Sequence, residues 1–395
     1  MPATLEPSAY PEATPRPTAT ASPAASRSLM IPDSAIHLAP FVTSDDFLWP
    51  DGSTVVYRTF AGRQSWFEVL NVLTGNSTIV EGSKPDASML VDYDGESITW
   101  LAIYERPTAD DEPAPAGTRD VVYWAIKRYD FGTGQLQVIH RDYNHWITDD
   151  VYTHWPYIAL DGNLIAYDVE TRGPGTNAQI LVQSISTGQT IRTIDVGGPV
   201  FDIALANGDV TYLTGDITDP ASDSPDNPRL IFSPAEGPTQ QLAYHEGFQP
   251  EPFEENGVTV SEVFKGFDDY GGSDGHSMLT FDTGHDSTTI DMAGTRQIAH
   301  GDGLVVWQSD ALQPNGQPLG RKVSIYDTTT HLSAVLDADV QNSYAIYRGL
   351  GVGDGWLVWT TQDVNEEYDN GYPLTAHAVR TSDVHAAFDA LFDGQ

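Results

Sequence analysis

Aromatic and histidine side chains that could bind a ligand are most concentrated in residues 141–155. This stretch contains Tyr143, His145, Trp146, Tyr152, His154 and Trp155. Exposed Trp and Tyr rings stack on sugars and anchor peptide partners. We therefore predict a glycan- or peptide-binding site formed by His145, Trp146, Tyr152, His154 and Trp155. The alternative is that Trp155 packs in a strand while the others cover a rim. A zinc site at His145 and His154 lacks a specified third ligand.

Acidic side chains form a second group, in four stretches that the pattern of the chain assigns to loops. They are Asp110-Asp111-Glu112, Asp216 to Asp226, Asp268 to Asp274, and Asp363 to Asp369. Calcium requires six to eight oxygen ligands. Oxygens at alternate positions predict a calcium site at Asp363, Asn365, Glu367 and Asp369, and a second is conceivable at Asp268, Asp269 and Asp274. The first lacks the glycine and distal glutamate of an EF-hand loop, so solvated loop surface is the competing interpretation.

Motifs that would identify a catalytic mechanism are scarce. The sequence contains no His-Glu-x-x-His motif, no phosphate-binding loop and no sialidase-type Ser-x-Asp-x-Gly-x-Thr-Trp box. It has no cysteine, which excludes a thiol nucleophile, a disulfide and a thiolate metal site. Paired carboxylates for glycoside hydrolysis need no motif, so a carbohydrate-active enzyme remains an alternative with unknown catalytic residues.

The charge of the chain restricts its partners. With 56 acidic and 19 basic residues the formal net charge is −37. Such a field repels nucleic acid and anionic membranes, which favours a protein, a glycan or a cation as the partner. No run approaches the roughly 18 apolar residues that a membrane-spanning helix needs.

A repeated phrase defines the elements that must position these residues. A turn containing Gly, a short apolar run and an aromatic residue recur about seven times, at a spacing of roughly 45 residues, which is typical of propeller blades. The copies run from Asp51 to Tyr57, Asp94 to Trp100, Asp161 to Tyr167, Asn207 to Tyr212, Asn256 to Ser261, Asp302 to Trp307 and Asp354 to Trp359. The sequence predicts an all-β, seven-bladed propeller over residues 29–383, rather than one with six or eight blades.

The two ends of the ring are predicted to meet. Approximate blades are 41–83, 86–140, 152–196, 198–244, 247–292, 295–338 and 341–382, and the last of these has no evident fourth strand. We expect a strand within about 29–40 to supply it, because closure leaves no exposed edge at the seam. Residues 384–395 have the apolar spacing of a short amphipathic helix.

The clearest repeat carries a family resemblance. The segment Gly301 to Asp310, followed by Lys322 to Asp327, resembles the TolB-like and WD40-like repeats of prokaryotic cell-surface propellers. The resemblance implies a secreted or periplasmic interaction module, although some propellers with similar repeats are parts of hydrolases. It implies no catalytic residue, because the shared motif is structural.

Residues 1–28 are rich in Pro, Ala, Thr and Ser, and we expect a disordered, extended stalk. The segment is similar to the stalk that follows the lipid-bearing cysteine of bacterial lipoproteins, so a lipid anchor is expected upstream. The sequence thus predicts an exported, envelope-tethered binding or scaffolding propeller, extracellular or periplasmic, that uses an acidic loop face. A calcium-stabilised surface-coat component is a further alternative, and calcium is the only candidate cofactor.

Overall fold

The computed structural model describes residues 28–43, 48–61, 64–104, 121–145, 155–170, 178–216, 226–242, 253–267, 275–293, 297–312, 318–339, 349–362 and 372–392. These residues form seven four-stranded antiparallel sheets and one short C-terminal helix. Each sheet is one blade of a propeller, so the predicted fold class is confirmed.

The strands follow the chain in order. The first strand is β1 (His37–Thr43). Blade one contains β2 (Leu48–Asp51), β3 (Thr54–Ala61), β4 (Gln64–Asn71) and β5 (Asn76–Ile79). Blade two contains β6 (Ala87–Tyr93), β7 (Ser97–Tyr104), β8 (Val121–Asp130) and β9 (Gln135–His145). Blade three contains β10 (Ile158–Asp161), β11 (Leu164–Glu170), β12 (Ala178–Ser184) and β13 (Thr190–Asp195). Blade four contains β14 (Val200–Ala206), β15 (Asp209–Asp216), β16 (Asp226–Ser233) and β17 (Gln240–Leu242).

The remaining strands complete the ring. Blade five contains β18 (Phe253–Glu255), β19 (Val258–Phe267), β20 (Gly275–Asp282) and β21 (Ser287–Ala293). Blade six contains β22 (Ile298–Gly301), β23 (Leu304–Leu312), β24 (Pro318–Asp327) and β25 (Leu332–Asp339). Blade seven contains β26 (Leu350–Gly353), β27 (Trp356–Gln362) and β28 (Tyr372–Arg380), and helix α1 (Thr381–Phe392) follows directly.

Blade seven is assembled from two distant parts of the chain. Its strand order is β1-β28-β27-β26, so β1 is the outer strand. The pairing with β28 is antiparallel and runs from His37 opposite Ala378 to Thr43 opposite Tyr372. The outer strand therefore comes from the N-terminal side of the ring and the three inner strands come from its C-terminal side.

The turn inside the repeated phrase is a tight hairpin between the first two strands of a blade. Asp302 and Gly303 both have positive φ, at 52° and 78°. Two consecutive positive φ angles match the twist of the flanking strands and favour Asn-Gly or Asp-Gly. The same pair of angles recurs at Asn207-Gly208, Asn256-Gly257 and Asp354-Gly355.

The core lies between neighbouring blades. The repeated aromatic residues are all buried there, with at most 5% of the side chain exposed: Tyr57, Trp100, Tyr167, Tyr212, Trp307 and Trp359. Val305 and Trp307 of blade six, for example, pack against Val260 of blade five. A blade covers its apolar faces only by contact with its neighbours, which explains the regular register of these residues.

Carboxylates link successive blades beside the tight turns. Asp161 of blade three accepts a hydrogen bond from the backbone N–H of Asn207 in blade four. Glu255 Oε1 of blade five accepts one from Gly303 N of blade six at 2.8 Å. Asp302 Oδ2 of blade six accepts one from Gly355 N of blade seven, also at 2.8 Å. Asp161 and Asp302 of the repeated phrase, and Glu255 directly before it, therefore join neighbouring blades.

We expect Glu255→Ala to lower the free energy of unfolding by about 1–2 kcal/mol, because a charge-assisted hydrogen bond is lost. The Glu255 side chain is only 15% exposed, and its Oε2 also lies 3.1 Å from His300 Nδ1. Chemical unfolding measures the change. The neighbouring Glu254 is exposed, so Glu254→Ala is the matched control and should leave stability unchanged. Equal effects of the two substitutions would contradict the link.

The segment before β1 does not join the sheet of blade seven. Leu29 N donates to Val335 O of β25 at 2.8 Å, which places the segment against blade six. Leu29 is buried, and Ile31 and Ile36 pack against the same core. Val384 and Phe388 of α1 complete that core, so both ends of the propeller meet over blades six and seven.

Candidate binding face

The topology gives the propeller two different faces. On one, which we call the turn face, lie the connections between the first and second and between the third and fourth strands of each blade. We call the opposite face the loop face. There each blade's second strand ends and its third strand begins, and there the fourth strand ends before the chain passes to the next blade. The loop-face strand ends flank the acidic segments 105–120, 217–225, 268–274 and 363–371, whose own placement is outside the described residues.

On the turn face, carboxylates serve the local structure. Asp94 Oδ1 accepts from Ser97 N at 2.6 Å, and Asp130 Oδ1 accepts from Thr133 N at the same distance. These contacts lower the pKa of Asp130, first through the Thr133 hydroxyl and then through its backbone N–H. Asp327 Oδ1 accepts from Thr329 N at 2.7 Å. Much of the acidity of this face is therefore explained by turns.

Two turn-face carboxyls have a raised pKa. Burial raises the pKa of Asp51, and the charges of Asp354 and Asp94 raise it further. Burial and then the charge of Asp94 raise the pKa of Asp92, while Arg128 lowers it. Such shifts cluster at functional sites but also arise in structural networks. Sequence reasoning missed this group because its members come from three blades.

An aromatic ladder crosses blade two at the loop face. Tyr104, Tyr123 and Tyr143 are direct partners on β7, β8 and β9. The rings of Tyr104 and Tyr123 are stacked with centroids 6.1 Å apart, and those of Tyr123 and Tyr143 lie 5.8 Å apart. Tyr123 and Tyr143 are buried, whereas Tyr104 is half-buried. The ladder lies at the rim of blade two, and only the strand register reveals it.

The residues of that predicted site are partly described. His145 is the last residue of β9, and its side chain lies outside the described residues, as do Trp146, Tyr152 and His154. Trp155 is half-buried and packs against the core between blades two and three. The alternative expected Trp155 to pack within a strand, whereas it lies just before β10 and packs against this core from there.

The predicted metal ligands cannot be placed. Asp268, Asp269 and Asp274, and likewise Asp363, Asn365, Glu367 and Asp369, lie outside the described residues. Within the part of the chain that the structure describes, no group of three or more His, Asp or Glu side chains could hold a metal ion. At the loop-face end of β15, Asp216 is exposed and accepts from Asn227 Nδ2 at 3.1 Å.

Residues 271–275 read Gly-Gly-Ser-Asp-Gly and match the Gly-x-Ser-x-Gly pattern by their letters. A nucleophile elbow leads from a strand into a helix. Here the flanking strands β19 and β20 pair antiparallel in blade five. The matching letters therefore lie between two antiparallel strands, and residues 271–274 themselves are outside the described residues.

Comparisons with known proteins found structural likenesses but no family. No family model matches the sequence, and no curated protein matches it. The β-propeller domain of the Trilobed protease from Pyrococcus furiosus, which has an open velcro topology, is similar at a TM-score of 0.49 with 13% identity, over 85% of this chain and 93% of that one. An acylaminoacyl peptidase from Pyrococcus horikoshii is similar at a TM-score of 0.50 with 10% identity, over 84% of this chain.

The extent of these likenesses limits what they show. The chain spans 50% of the length of the Pyrococcus horikoshii peptidase. At identities this low the likeness shows a propeller fold alone. Among the described residues, no helix is long and apolar enough to cross a membrane.

Proposed function

We propose that this chain is a binding or scaffolding propeller that engages a cationic partner, a protein or a glycan through its loop face. The observation that carries the proposal is the contrast between the two faces. The turn face consists of tight turns whose carboxylates cap backbone N–H groups. The loop-face strand ends flank every long acidic segment of the chain. Function commonly resides on loops that a rigid scaffold holds.

The tyrosine ladder supports a binding role for the same face. Tyr104, Tyr123 and Tyr143 form an aromatic ladder, and the last of them belongs to β9, which directly precedes residues 146–154 in the sequence. Rigid aromatic layers position rings that stack on sugars or anchor side chains. Acidic loops beside such a rim favour partners that carry Arg or Lys.

We also propose that the protein is exported and tethered to the cell envelope. This part rests on the composition of residues 1–28 and on the repeat resemblance. Fractionation of cells that express the gene with its upstream sequence tests it. Recovery in the soluble cytoplasmic fraction would refute the tether.

Neutralising the loop face is expected to weaken binding of an arginine-rich peptide. The triple variant Asp268→Asn, Asp269→Asn and Asp274→Asn should lose about tenfold in affinity at low salt, at about 0.5 kcal/mol for each charge removed. Isothermal titration at two salt concentrations measures the change. The matched control neutralises three exposed turn-face acids, Glu96→Gln, Glu236→Gln and Asp286→Asn. Equal losses in the two variants would mean that only net charge matters and would refute a specific face.

Two further measurements separate the alternatives. A glycan array followed by a hydrolysis screen distinguishes a binder from an enzyme, and turnover abolished by Asp51→Asn would replace the proposal with catalysis. Melting curves with and without EDTA test a calcium-stabilised coat component, because a bound ion stabilises the native state by mass action. An unchanged midpoint would count against a tightly bound structural ion.

A further inference from the structure

Helix α1 is held on the propeller by an apolar face and one histidine. Val384 and Phe388 are fully buried against the core shared by blades six and seven. His385 lies between them in sequence and faces the turns of blade six. Its Nδ1 lies 2.8 Å from Asp327 Oδ2, and its Nε2 lies 2.9 Å from the backbone oxygen of Asp302.

Both ring nitrogens of His385 therefore face acceptors. A carboxylate and a carbonyl oxygen have no proton to donate, and a neutral imidazole carries only one N–H. In the neutral ring, one nitrogen lone pair would point at an oxygen lone pair. The imidazolium donates both hydrogen bonds, so this geometry fits the charged form of the side chain.

The groups around His385 come from three elements and favour the same form. Strand β24 supplies its last residue, Asp327, whose side chain is only 2% exposed. The turn after β22 supplies Asp302, whose carboxylate points to Gly355 N and Thr381 Oγ1. The helix itself supplies Asp389, and both charges that act on the ring are negative. Burial lowers the pKa of His385, but the bonds to Asp327 and Asp302 and the two negative charges outweigh it, so the pKa is raised.

We propose that His385 is a pH-sensitive clasp that holds helix α1 on blade six and releases it as the imidazolium loses its proton. The direction of the pH effect follows from the linkage between protonation and folding. A histidine whose pKa is raised on folding contributes its stabilisation fully below its ordinary value of about 6.5, and loses it as pH rises through the folded value. The clasp is therefore closed below about pH 6.5 and loosens as pH rises through the raised pKa of the folded state.

Release of the helix would affect the seam of the ring. Leu29, Ile31 and Ile36 pack in the same core as Val384 and Phe388, beside the hydrogen bond from Leu29 to Val335. When α1 dissociates from blade six, this N-terminal segment loses its packing contacts with Val384 and Phe388. The segment leads directly into the closing strand β1, so the clasp tunes how firmly the N-terminal chain is held on the propeller.

Hydrogen exchange of the intact chain tests the clasp. Protection of the α1 amides, corrected for the intrinsic pH dependence of exchange, should fall about 3- to 10-fold between pH 6 and pH 9 in the wild type. In His385→Gln it should be low at both pH values and change less than twofold. Protection that is independent of pH in the wild type, or an equal fall in both proteins, would overturn the proposal.

A second variant keeps the test informative if His385→Gln loses the helix altogether. Asp327→Asn retains an oxygen acceptor for Thr329 N but removes the negative charge beside the ring. The midpoint of the protection change should then move to lower pH. Nitrogen-15 NMR of the imidazole should show that the ring of the wild type titrates above the ordinary value of about 6.5. An unmoved midpoint, or a ring that titrates at or below about 6.5, would refute the clasp.

Discussion

Deleting residues 1–43 is expected to prevent the chain from folding to a stable ring. The deletion removes β1, the outer strand of blade seven, and with it the buried residues Ala39 and Phe41 and the Leu29 contact to blade six. Loss of a buried Phe or Leu side chain alone costs about 2–5 kcal/mol. Together these losses are comparable with the roughly 5–15 kcal/mol total stability of a domain. Thermal melting by circular dichroism and limited proteolysis measure the outcome.

The control for this deletion removes residues 1–27 alone. That segment precedes the first described residue and has few apolar side chains, so its removal should leave the melting midpoint unchanged. A stable, cooperatively melting protein after removal of residues 1–43 would contradict closure of the ring by β1. A large loss after removal of residues 1–27 would show that the stalk contributes to the fold.

Gly351→Ala is expected to destabilise the protein by about 2–3 kcal/mol through overpacking. A Cβ at Gly351 would lie 2.6 Å from Pro50 O and 2.8 Å from Pro50 Cβ. Because Pro50 belongs to β2, the inner strands of blades seven and one would be forced apart. A backbone oxygen cannot move aside as the end of a flexible side chain can. The midpoint of urea unfolding should fall while its slope is unchanged.

Gly132→Ala is the matched control for Gly351→Ala. A Cβ at Gly132 would meet only Asp130 Oδ1 at 3.5 Å, and the residue is exposed in a turn. Its substitution should change stability by less than about 0.5 kcal/mol. If both variants unfold at the wild-type midpoint, the inner strands of blades seven and one are not in close contact.

The number of blades and their core were predictable because they depend on local patterns. Asp302-Gly303 and its counterparts specify a tight hairpin from residue type alone. The aromatic residue that ends each second strand has a fixed register, and burial of Trp100 and Trp359 follows from it. Ser261 is the copy without an aromatic residue, and it is only half-buried.

The elements near the two ends of the chain were harder to predict, because their bounds depend on contacts between residues that are far apart in the sequence. A closing strand was expected within about 29–40, but β1 spans His37–Thr43. The apolar residues Leu29, Ile31 and Ile36, which made the earlier part look like a strand, pack against α1 and blade six instead. The helix begins at Thr381, before the expected residue 384, directly where β28 ends.

The candidate site depended still more on tertiary structure. The ladder of Tyr104, Tyr123 and Tyr143 exists only through strand register, because 16 residues from 105 to 120 separate the first two strands. The carboxylate group around Asp51 joins three blades. No sequence pattern links Glu255 to Gly303, which lie 48 positions apart. The acidic composition alone could not separate acids that cap turns from acids in loops.

A disulfide between β1 and β28 is the most direct test of ring closure. The chain has no cysteine, so Pro40→Cys with Thr375→Cys gives a single engineered pair at directly opposed positions. Opposed residues of antiparallel strands have Cα separations within the range that a disulfide spans. Mild oxidation should yield a cross-linked monomer, seen by mass spectrometry, whereas Pro40→Cys with Thr78→Cys on the outer strand of blade one should not link. Failure of the first pair to form, or equal linking of both, would contradict a propeller closed at blade seven by its N-terminal strand.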